Sequence, residues 1–276
     1  MAPRPDWNEM TWQDFASGDA NRWIAVMPVA ATEQHGPHLP VGVDAMIGRA
    51  YLARVRKQLP KDIPATFLPL QDFGVSAEHT AFPGTISVSA ERMIPVWLEI
   101  GESIARAGVR KLVIVTSHGG NVATIDVVAR ELRVRHGMLA VTTAWQNFGY
   151  PDGLFDEREA KHGIHAGGIE TALMLAAHRD LVRVDRTPIA TPASIQMEQS
   201  FKWLRTHRPA GFGWMSQDLH SSGAIGDATQ GTAEAGEAAY EFGACAFIEL
   251  LRDVDRFDLA KLPGGPLGEW TNKRGI

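Results

Sequence analysis

Two kinds of segment alternate along the chain: short, unbroken apolar runs, and longer stretches in which apolar residues recur at helical spacing. Unbroken β-branched runs such as the one at 112–116 are typical of strands that are covered on both faces. The alternation predicts an α/β fold. The predicted strands cover 23–29, 65–70, 112–116 and 138–144, and the predicted helices cover about 43–58, 89–107, 121–135, 166–178 and 232–252.

The chain gives no sign of a division into domains. It contains no internal repeat and no low-complexity linker, and its Gly/Pro-rich points punctuate elements rather than separate units. We therefore expect one domain over 1–276, large enough to bury its core without disulfides. Periodicity is weakest over about 184–230, which we expect to be a long irregular excursion that serves as a lid or a subunit contact.

Composition excludes several classes of protein. Hydrophobic residues make up 45% of the 276 and charged residues 21%, which is an ordinary globular composition. A formal net charge of -5 without Lys/Arg clusters disfavours nucleic-acid binding, so the expected partner is a small molecule. The sequence shows neither an 18-residue apolar run nor a signal-peptide pattern, and we expect a cytoplasmic protein without a membrane span.

The chain has a single cysteine, Cys245, which lies in an Ala-rich helical pattern and is expected to be a buried structural thiol. One thiol forms no intramolecular disulfide, which fits a reducing compartment and leaves metal binding to histidines and carboxylates. Nucleophilic catalysis by a side chain is poorly supported, because the chain also lacks a Gly-x-Ser-x-Gly elbow.

The most informative polar residues follow the first predicted strand, between Ala31 and Asp44. In an extended backbone, side chains two positions apart point the same way, so Glu33 and His35 can face one site. The Gly-Pro turn that follows can bring Asp44 back toward it. Two carboxylates and an imidazole would make a metal site there. The alternative is that these residues merely close a strand, with Asp44 as the cap of the next helix.

A second polar segment, Ser117-His-Gly-Gly-Asn121, follows the third predicted strand. Two glycines after His118 let the backbone approach a ligand closely, and Asn121 is placed to cap the following helix. Such a turn could also hold a phosphate, but the spacings that make a nucleotide-binding loop specific are missing. His118 at a strand end is therefore the better candidate, as a metal ligand.

A third segment leads into the fourth predicted helix. Residues five apart on a helix point about 140° away from each other, so His165 and Glu170 share a site only if His165 precedes the helix. The Ala-Gly-Gly sequence after His165 makes such a start plausible. Taken alone, the segment is better explained by a surface turn at His165 and a favourable contact of Glu170 with the helix dipole.

Together the three segments offer six candidate residues that donate oxygen or nitrogen and no sulfur. Such a set suits two divalent ions bridged by a carboxylate, and centres of this kind usually catalyse hydrolysis by a metal-bound hydroxide. A non-catalytic small-molecule or metal-binding protein and a nucleotide-binding protein are the alternatives. The candidates are Glu33, His35, Asp44, His118, His165 and Glu170.

Five blocks of the sequence resemble the creatininase (creatinine amidohydrolase) family, and they run in order through about 200 of the 276 residues. The blocks are Thr32 to Pro40 followed by Asp44; Glu78-His79 before Phe82 to Thr85; Ser117 to Asn121; His165 to Thr171; and Gly223 to Asp227 followed by Glu234 to Gly236.

The resemblance implies a three-layer αβα sandwich with a mainly parallel central sheet. It also implies a metal-dependent amidohydrolase with two divalent ions per subunit, zinc or manganese with iron as a further option, in a homo-oligomer for which a hexamer is one form. By this resemblance, Glu33 and His118 are ligands of one ion, His35 of the other, and Asp44 bridges them. His165 resembles the histidine that handles the proton.

One position departs from the creatininase pattern. Creatininase itself carries a metal-binding glutamate two residues after the histidine of the second segment, where this chain has Gly120. Creatinine is therefore a poor guess for the substrate, and we expect a small cyclic amide, a formamide or a related C–N bond instead. A C–C or ester bond is the alternative. We infer from the gap at Gly120 that Glu170 supplies the missing carboxylate.

Overall fold

The structure is a computed structural model that describes residues 2–264. Its centre is a four-stranded sheet in which every neighbouring pair of strands runs parallel. The register pairs Val26 with Phe67 on one side and with Val113 on the other. The strands are β1 (Ile24–Val29), β2 (Ala65–Phe67), β3 (Lys111–Thr116) and β4 (Leu139–Ala144), in the spatial order β2-β1-β3-β4.

The α-helices within the described residues are α1 (Trp12–Ser17), α2 (Val43–Gln58), α3 (Ala90–Arg106), α4 (Val122–His136), α5 (Glu157–His162), α6 (Gly168–Ala177), α7 (Ala193–Ser200), α8 (Ser216–Leu219) and α9 (Ala233–Arg256). The five helices predicted from periodicity are α2, α3, α4, α6 and α9. Over residues 2–264, no helix combines the length and apolar character that crossing a membrane requires.

Helices cover both faces of the sheet, because successive residues of a strand point to opposite sides. In β1, Ile24 and Val26 pack against α2, α6 and α9, whereas Ala25 and Met27 pack against α3 and α4. The sheet therefore separates two hydrophobic clusters. This arrangement confirms the predicted α/β fold with three layers and a parallel central sheet.

Two regions differ in detail from the pattern along the sequence. Strand β2 ends at Phe67, earlier than predicted, and Pro69 follows it without an N–H to continue the ladder. The stretch 184–230 adds no strand to the central sheet. It contains α7, α8 and pairs of two-residue strands, β5 (Ile189–Ala190) with β8 (Gly226–Asp227) and β6 (Leu204–Arg205) with β7 (Ala210–Gly211).

The expectation of one domain over 1–276 stays a prediction, and its last residues, 265–276, lie outside the described part of the chain. The short helices α1, α5, α7 and α8 were not predicted, because four to eight residues are too few to display a helical period.

The expectation of a buried thiol at Cys245 is wrong. Cys245 lies on α9 as predicted, but it is exposed, and its Sγ lies 3.6 Å from Gln58 Oε1. The buried stripe of α9 includes the neighbouring Ala244 and Phe247, so position 245 points away from it. Alanines on both faces of the helix obscure that stripe in the sequence pattern.

The carboxyl ends of the four strands share one edge of the sheet, because the strands are parallel. The loops that leave β1 and β3 at this edge contain the first two polar segments identified from the sequence. Open α/β sheets commonly bind ligands where such loops diverge. The carboxyl edge of the sheet is therefore the expected position of the functional site.

Candidate metal centre

The structure brings all six predicted site residues into one cluster at the carboxyl edge of the sheet, and all of them except Glu170 are buried. Glu33 and His35 lie in the loop after β1, and Asp44 lies in the first turn of α2. His118 follows β3 after one intervening residue. The third segment contributes His165, ahead of α6, and Glu170, in the first turn of α6.

Asp44 is at the centre of the cluster and is only 1% exposed. Its Oδ1 lies 3.4 Å from His35 Nε2, and its Oδ2 lies 3.4 Å from His118 Nδ1. Glu33 Oε2 lies 3.1 Å from the same nitrogen of His118. Donor atoms around a tetrahedral ion with bonds of ~2.1 Å are roughly 3.4 Å apart, so these separations fit metal coordination.

The imidazoles of His35 and His118 are oriented by the backbone. His35 Nδ1 donates to the carbonyl oxygen of Glu33 at 3.0 Å, and His118 Nε2 donates to that of Val75 at 2.9 Å. Each ring therefore directs its other nitrogen toward Asp44. Histidines that bind metals typically donate their second ring N–H to such an acceptor, which fixes the tautomer.

Several polar atoms of the cluster are buried without a hydrogen bond to any residue of the described chain. They are Glu33 Oε2, His35 Nε2 and Asp44 Oδ2. Buried polar groups without partners are costly, and native proteins pair nearly all of them. Cations placed among these atoms would satisfy them, so the residues present fit a divalent metal ion.

The ionisation of the metal-free cluster reflects the same need for positive charge. Burial opposes the charge on both imidazoles, yet the neighbouring carboxylates raise the pKa of His118 to about 10 and that of His35 to about 9. Burial and the adjacent Glu33 raise the pKa of Asp44 to about 7. Burial also works against ionised Glu33, but the neighbouring His118 holds the pKa of Glu33 below its usual range.

His165 lies beside the cluster and is 6% exposed, so the interpretation of this residue as part of a surface turn is wrong. Its Nε2 donates to the carbonyl oxygen of Gln34 at 2.6 Å, and its Nδ1 lies 3.6 Å from Glu33 Oε1. Burial and the charge of His35 lower the pKa of His165 to about 4. His165 is therefore a neutral imidazole whose free nitrogen faces the cluster.

Glu170 lies on the His35 side of the cluster. Its Oε2 is 3.8 Å from His35 Nε2 and accepts a hydrogen bond from Ala166 N at 2.5 Å. The side chain is 24% exposed, whereas those of Glu33 and Asp44 are almost fully buried. Glu170 thus lies within ligand distance of His35 and His165, while it also orders the turn that precedes α6.

Two helix starts differ from what the sequence suggests. Asp44 does not cap α2, because the residue at the N-cap is Gly42. Asn121 occupies the N-cap of α4, but its side chain makes no capping bond. Its amide instead accepts from Val75 N at 2.9 Å and donates to the oxygen of Ala30 at 3.0 Å, which ties the loop after β2 to the end of β1.

Two residues near the cluster were not predicted as site residues. His79 Nε2 lies 3.4 Å from Glu33 Oε1, and its ring lies 4.1 Å from that of His165. Glu78 Oε1 lies 3.5 Å from His118 Nε2, the ring nitrogen that does not face Asp44. The only sequence signal for either residue was its place in a block that resembles the creatininase family, because both lie in a three-residue 3₁₀ helix that is too short to show a period.

Close contacts on several sides require a glycine at position 120. A Cβ added to Gly120 would overlap the carboxylate of Glu78 and the ring of His118, and would lie 2.6 Å from the oxygen of Val75. The carboxylate of Glu78 therefore occupies space that the Cβ of any side chain at position 120 would need. With Glu78 in this position, residue 120 has no room for a side chain.

Comparison with known proteins agrees with the buried cluster. The family model for creatininase, described as creatinine amidohydrolase, matches residues 8–251. A mycofactocin precursor peptide peptidase of Mycobacterium ulcerans (strain Agy99) is 32% identical over 256 residues, which are 90% of this chain and 90% of that protein. A creatinine amidohydrolase of Pseudomonas putida is 32% identical over 206 residues, 67% of this chain and 76% of that protein.

Solved structures extend the similarity to the fold and to the metals. A manganese form of creatininase superposes with a TM-score of 0.71 at 26% identity, over 92% of this chain and 100% of that one. A mutant creatininase of the Zn–Zn type gives a TM-score of 0.72 at 25% identity, over 93% of this chain and 100% of that one. The family match, the metal-containing neighbours and a buried donor set that needs cations agree on one conclusion: this chain belongs to the creatininase family and is a metal-dependent hydrolase.

Proposed function

We propose that this chain is an amidohydrolase that cleaves a C–N bond of a small polar molecule on a centre of two divalent ions. The observation that carries the proposal is the position of Asp44, whose two oxygens face two different imidazoles at 3.4 Å each. A single ion needs no such arrangement, whereas a pair of ions is naturally bridged by one carboxylate. When bound, the ions supply the Lewis acidity that activates water and polarises a carbonyl group.

The donor atoms divide into two groups around the shared Asp44. Glu33 and His118 would hold the first ion, and His35 and Glu170 would hold the second. Zinc and manganese are supported by the metal forms of the solved relatives, and iron is a further option. All donors are oxygen or nitrogen, which is the chemistry that such borderline and hard divalent ions accept.

His165 is the residue that we assign to proton transfer. Its Nε2–H is committed to the carbonyl oxygen of Gln34, so Nδ1 is the atom that accepts and later returns a proton. The lowered pKa of His165 leaves the ring unprotonated at neutral pH, so that Nδ1 has a free electron pair with which to accept a proton. In the cleavage of an amide, His165 would take the proton of the attacking water and deliver it to the leaving nitrogen.

The C–N bond is supported by what the relatives act on, according to their names. One is a peptidase for a precursor peptide and another is an amidohydrolase for creatinine, and both names describe cleavage at an amide-like nitrogen. A solved mutant creatininase is bound to creatine, which is a small molecule. Creatinine itself is disfavoured here, because Gly120 stands where the resemblance places a metal-binding glutamate of creatininase. The assembly of this chain into a homo-oligomer stays a prediction.

A substrate panel tests the proposed bond. We expect metal-loaded protein to hydrolyse at least one member of a panel of formamides, cyclic amides, cyclic ureas and short peptides, with release of the amine measured by mass spectrometry. Matched esters and β-diketones test an ester or C–C bond in the same assay. Turnover of these alone would contradict the amide assignment, and a metal-loaded protein inert to an extended panel would favour a binding protein.

The bridging role of Asp44 predicts different metal contents for two variants. Asp44→Ala should lose both ions, because the residue contacts both groups of donors, whereas His35→Ala should lose mainly one. Elemental analysis of protein purified in excess zinc measures both. Asp62→Ala is the control, since that side chain is 74% exposed and its charged neighbour is Arg252. Full metal content in Asp44→Ala is the result that rules out a dinuclear centre.

Glu170 is expected to complete the second ion. Glu170→Gln should weaken binding of that ion while it changes the stability of the metal-free protein little, because a carboxylate in a first helical turn contributes only about 0.3–1 kcal/mol. Zinc titration and urea unfolding provide the two measurements. Glu234→Gln is a matched control, because Glu234 is an exposed acid in the first turn of α9. Unchanged affinity in Glu170→Gln would make Glu170 structural and leave that position to water.

His165→Ala should keep the fold and the metals and lose turnover by a factor on the order of 10² to 10⁴, the usual contribution of a positioned acid–base group. The control is His162→Ala, three residues earlier, whose ring lies 3.0 Å from Ser194 Oγ and outside the cluster. Rates on a substrate from the panel are compared at equal metal content. A rate within a factor of about three of the unaltered protein would refute the assignment.

A further inference from the structure

Four imidazoles contact the carboxylates of the candidate centre, and one of them is oriented unlike the others. His35, His118 and His165 each donate one ring N–H to a backbone carbonyl oxygen, at 3.0, 2.9 and 2.6 Å. Each therefore directs its other ring nitrogen to the cluster. The ring of His79 bonds to no backbone carbonyl within residues 2–264; its Nδ1 lies 2.7 Å from the side-chain Nε2 of Gln34.

The amide of Gln34 has its orientation fixed by two backbone groups. Its Oε1 accepts from Gly36 N at 2.9 Å, and its Nε2 donates to the oxygen of Gly223 at 3.0 Å. Reversing the amide would place its oxygen against the Gly223 carbonyl and its nitrogen against the Gly36 N–H, and would lose both bonds. Nε2 therefore faces His79 as a donor.

A donor on one ring nitrogen decides which nitrogen of His79 carries the proton. Nδ1 must accept from Gln34, so the proton of the neutral ring is on Nε2. That nitrogen faces Glu33 Oε1 at 3.4 Å, and His79 is 2% exposed. The ring therefore presents an N–H to the carboxylate, whereas its three neighbours use one N–H for a backbone carbonyl and direct their other nitrogen to the cluster.

We propose that His79 is a positioning residue that Gln34 holds as the Nε2–H tautomer, and that it orients Glu33 for the first metal ion by presenting this N–H to Glu33 Oε1. The inference rests on the proposed metal centre. Glu33 Oε2 then remains directed to His118 and Asp44, with which it would share the ion. At 3.4 Å the contact is longer than an ordinary hydrogen bond, and a donor group behind a metal-binding carboxylate is a common way to fix its orientation.

The Nε2–H tautomer excludes His79 as a metal ligand, a role that its position beside Glu33 and His165 would otherwise suggest. Glu33, His79 and His165 have donor atoms within 4.8 Å of one another, which is close enough for three ligands of one ion. A nitrogen that carries a proton has no lone pair for a metal, however. His79 is therefore outside the ligand set. Within that trio, the carboxylate of Glu33 and Nδ1 of His165 are the groups that offer free electron pairs.

The tautomer is measured directly on metal-free protein. The chain has ten histidines, so ¹⁵N-histidine labelling gives a small set of ring signals, and those of His79 are identified by their loss in His79→Gln. We expect the proton on Nε2 and an unprotonated Nδ1. A His79 ring with its proton on Nδ1, or with protons on both nitrogens at neutral pH, would overturn the proposal even if the protein binds zinc normally.

Two substitutions then test the positioning role through zinc affinity. The amide nitrogen of glutamine reaches about as far as Nε2 of histidine and can donate to Glu33, whereas asparagine reaches only about as far as Nδ1. We expect His79→Asn to bind the first zinc ion 10–100-fold more weakly, the usual cost of losing a group that orients a ligand, and His79→Gln to remain within about threefold of the unaltered protein.

The pattern of results distinguishes a failure of the positioning role of His79 from a failure of the proposed metal centre. Equal zinc affinities in His79→Asn and His79→Gln, whether both unchanged or both reduced, would refute the positioning role. Failure of the unaltered protein to bind zinc would refute the metal centre, while the tautomer of His79 would still be measured. Urea unfolding of both metal-free variants separates an effect on affinity from a loss of fold.

Discussion

The feature on which the rest of the site depends is the burial of two carboxylates side by side at the edge of a sheet. Glu33 and Asp44 are each 1% exposed, and their oxygens lie within 4.8 Å of each other. At an effective dielectric constant near 20, two like charges at that separation repel by roughly 3 kcal/mol. Positive charge among its oxygens relieves this repulsion. In the metal-free protein the raised pKa values of His35 and His118 favour their charged forms, and metal ions can replace that charge.

The fold supplies this arrangement through the parallel sheet. Parallel strands end at a common edge, so loops that are far apart in sequence converge there. Helices α2 and α6 also begin at this edge, where the positive ends of their dipoles lie. Close approach of the loops leaves little space for side chains. Gly120 lies against Glu78 and His118, and Gly223 has its backbone against the amide of Gln34, so glycine at both positions is a condition of the site's geometry.

Membership of the creatininase family gives this chain its hydrolytic class, and its departures from creatininase concern how the donor set is completed. The second polar segment has Gly120 where the resemblance to creatininase implies a glutamate, and Glu78 lies against that glycine from the loop after β2. The outer layer of the centre is therefore organised by the loop after β2. The same loop carries His79, so two residues that contact the candidate ligands lie on one short 3₁₀ helix, Ala77–His79.

Much of this protein was determined by local features of the sequence. The apolar runs predicted the four strands, the helical spacing predicted the five long helices, and the polar segments after strands predicted the positions of Glu33, His35 and His118. The predicted strands and helices are confirmed, because strand and helix periods are local properties, whereas the roles of the polar residues stay predictions. Burial of Cys245 failed as a prediction, because an Ala-rich helix has no clear apolar stripe.

Only the tertiary structure decided what surrounds the ligands. That Glu78 contacts His118, that the amide of Gln34 is held against Gly223, and that this amide sets the tautomer of His79 all depend on contacts between loops about 40 to 190 positions apart. Such contacts have no period and no spacing rule. A hydrogen bond has a direction set by three-dimensional neighbours, so the sequence identified which residues could bind metal, and the folded chain decided which nitrogen of each imidazole faces it.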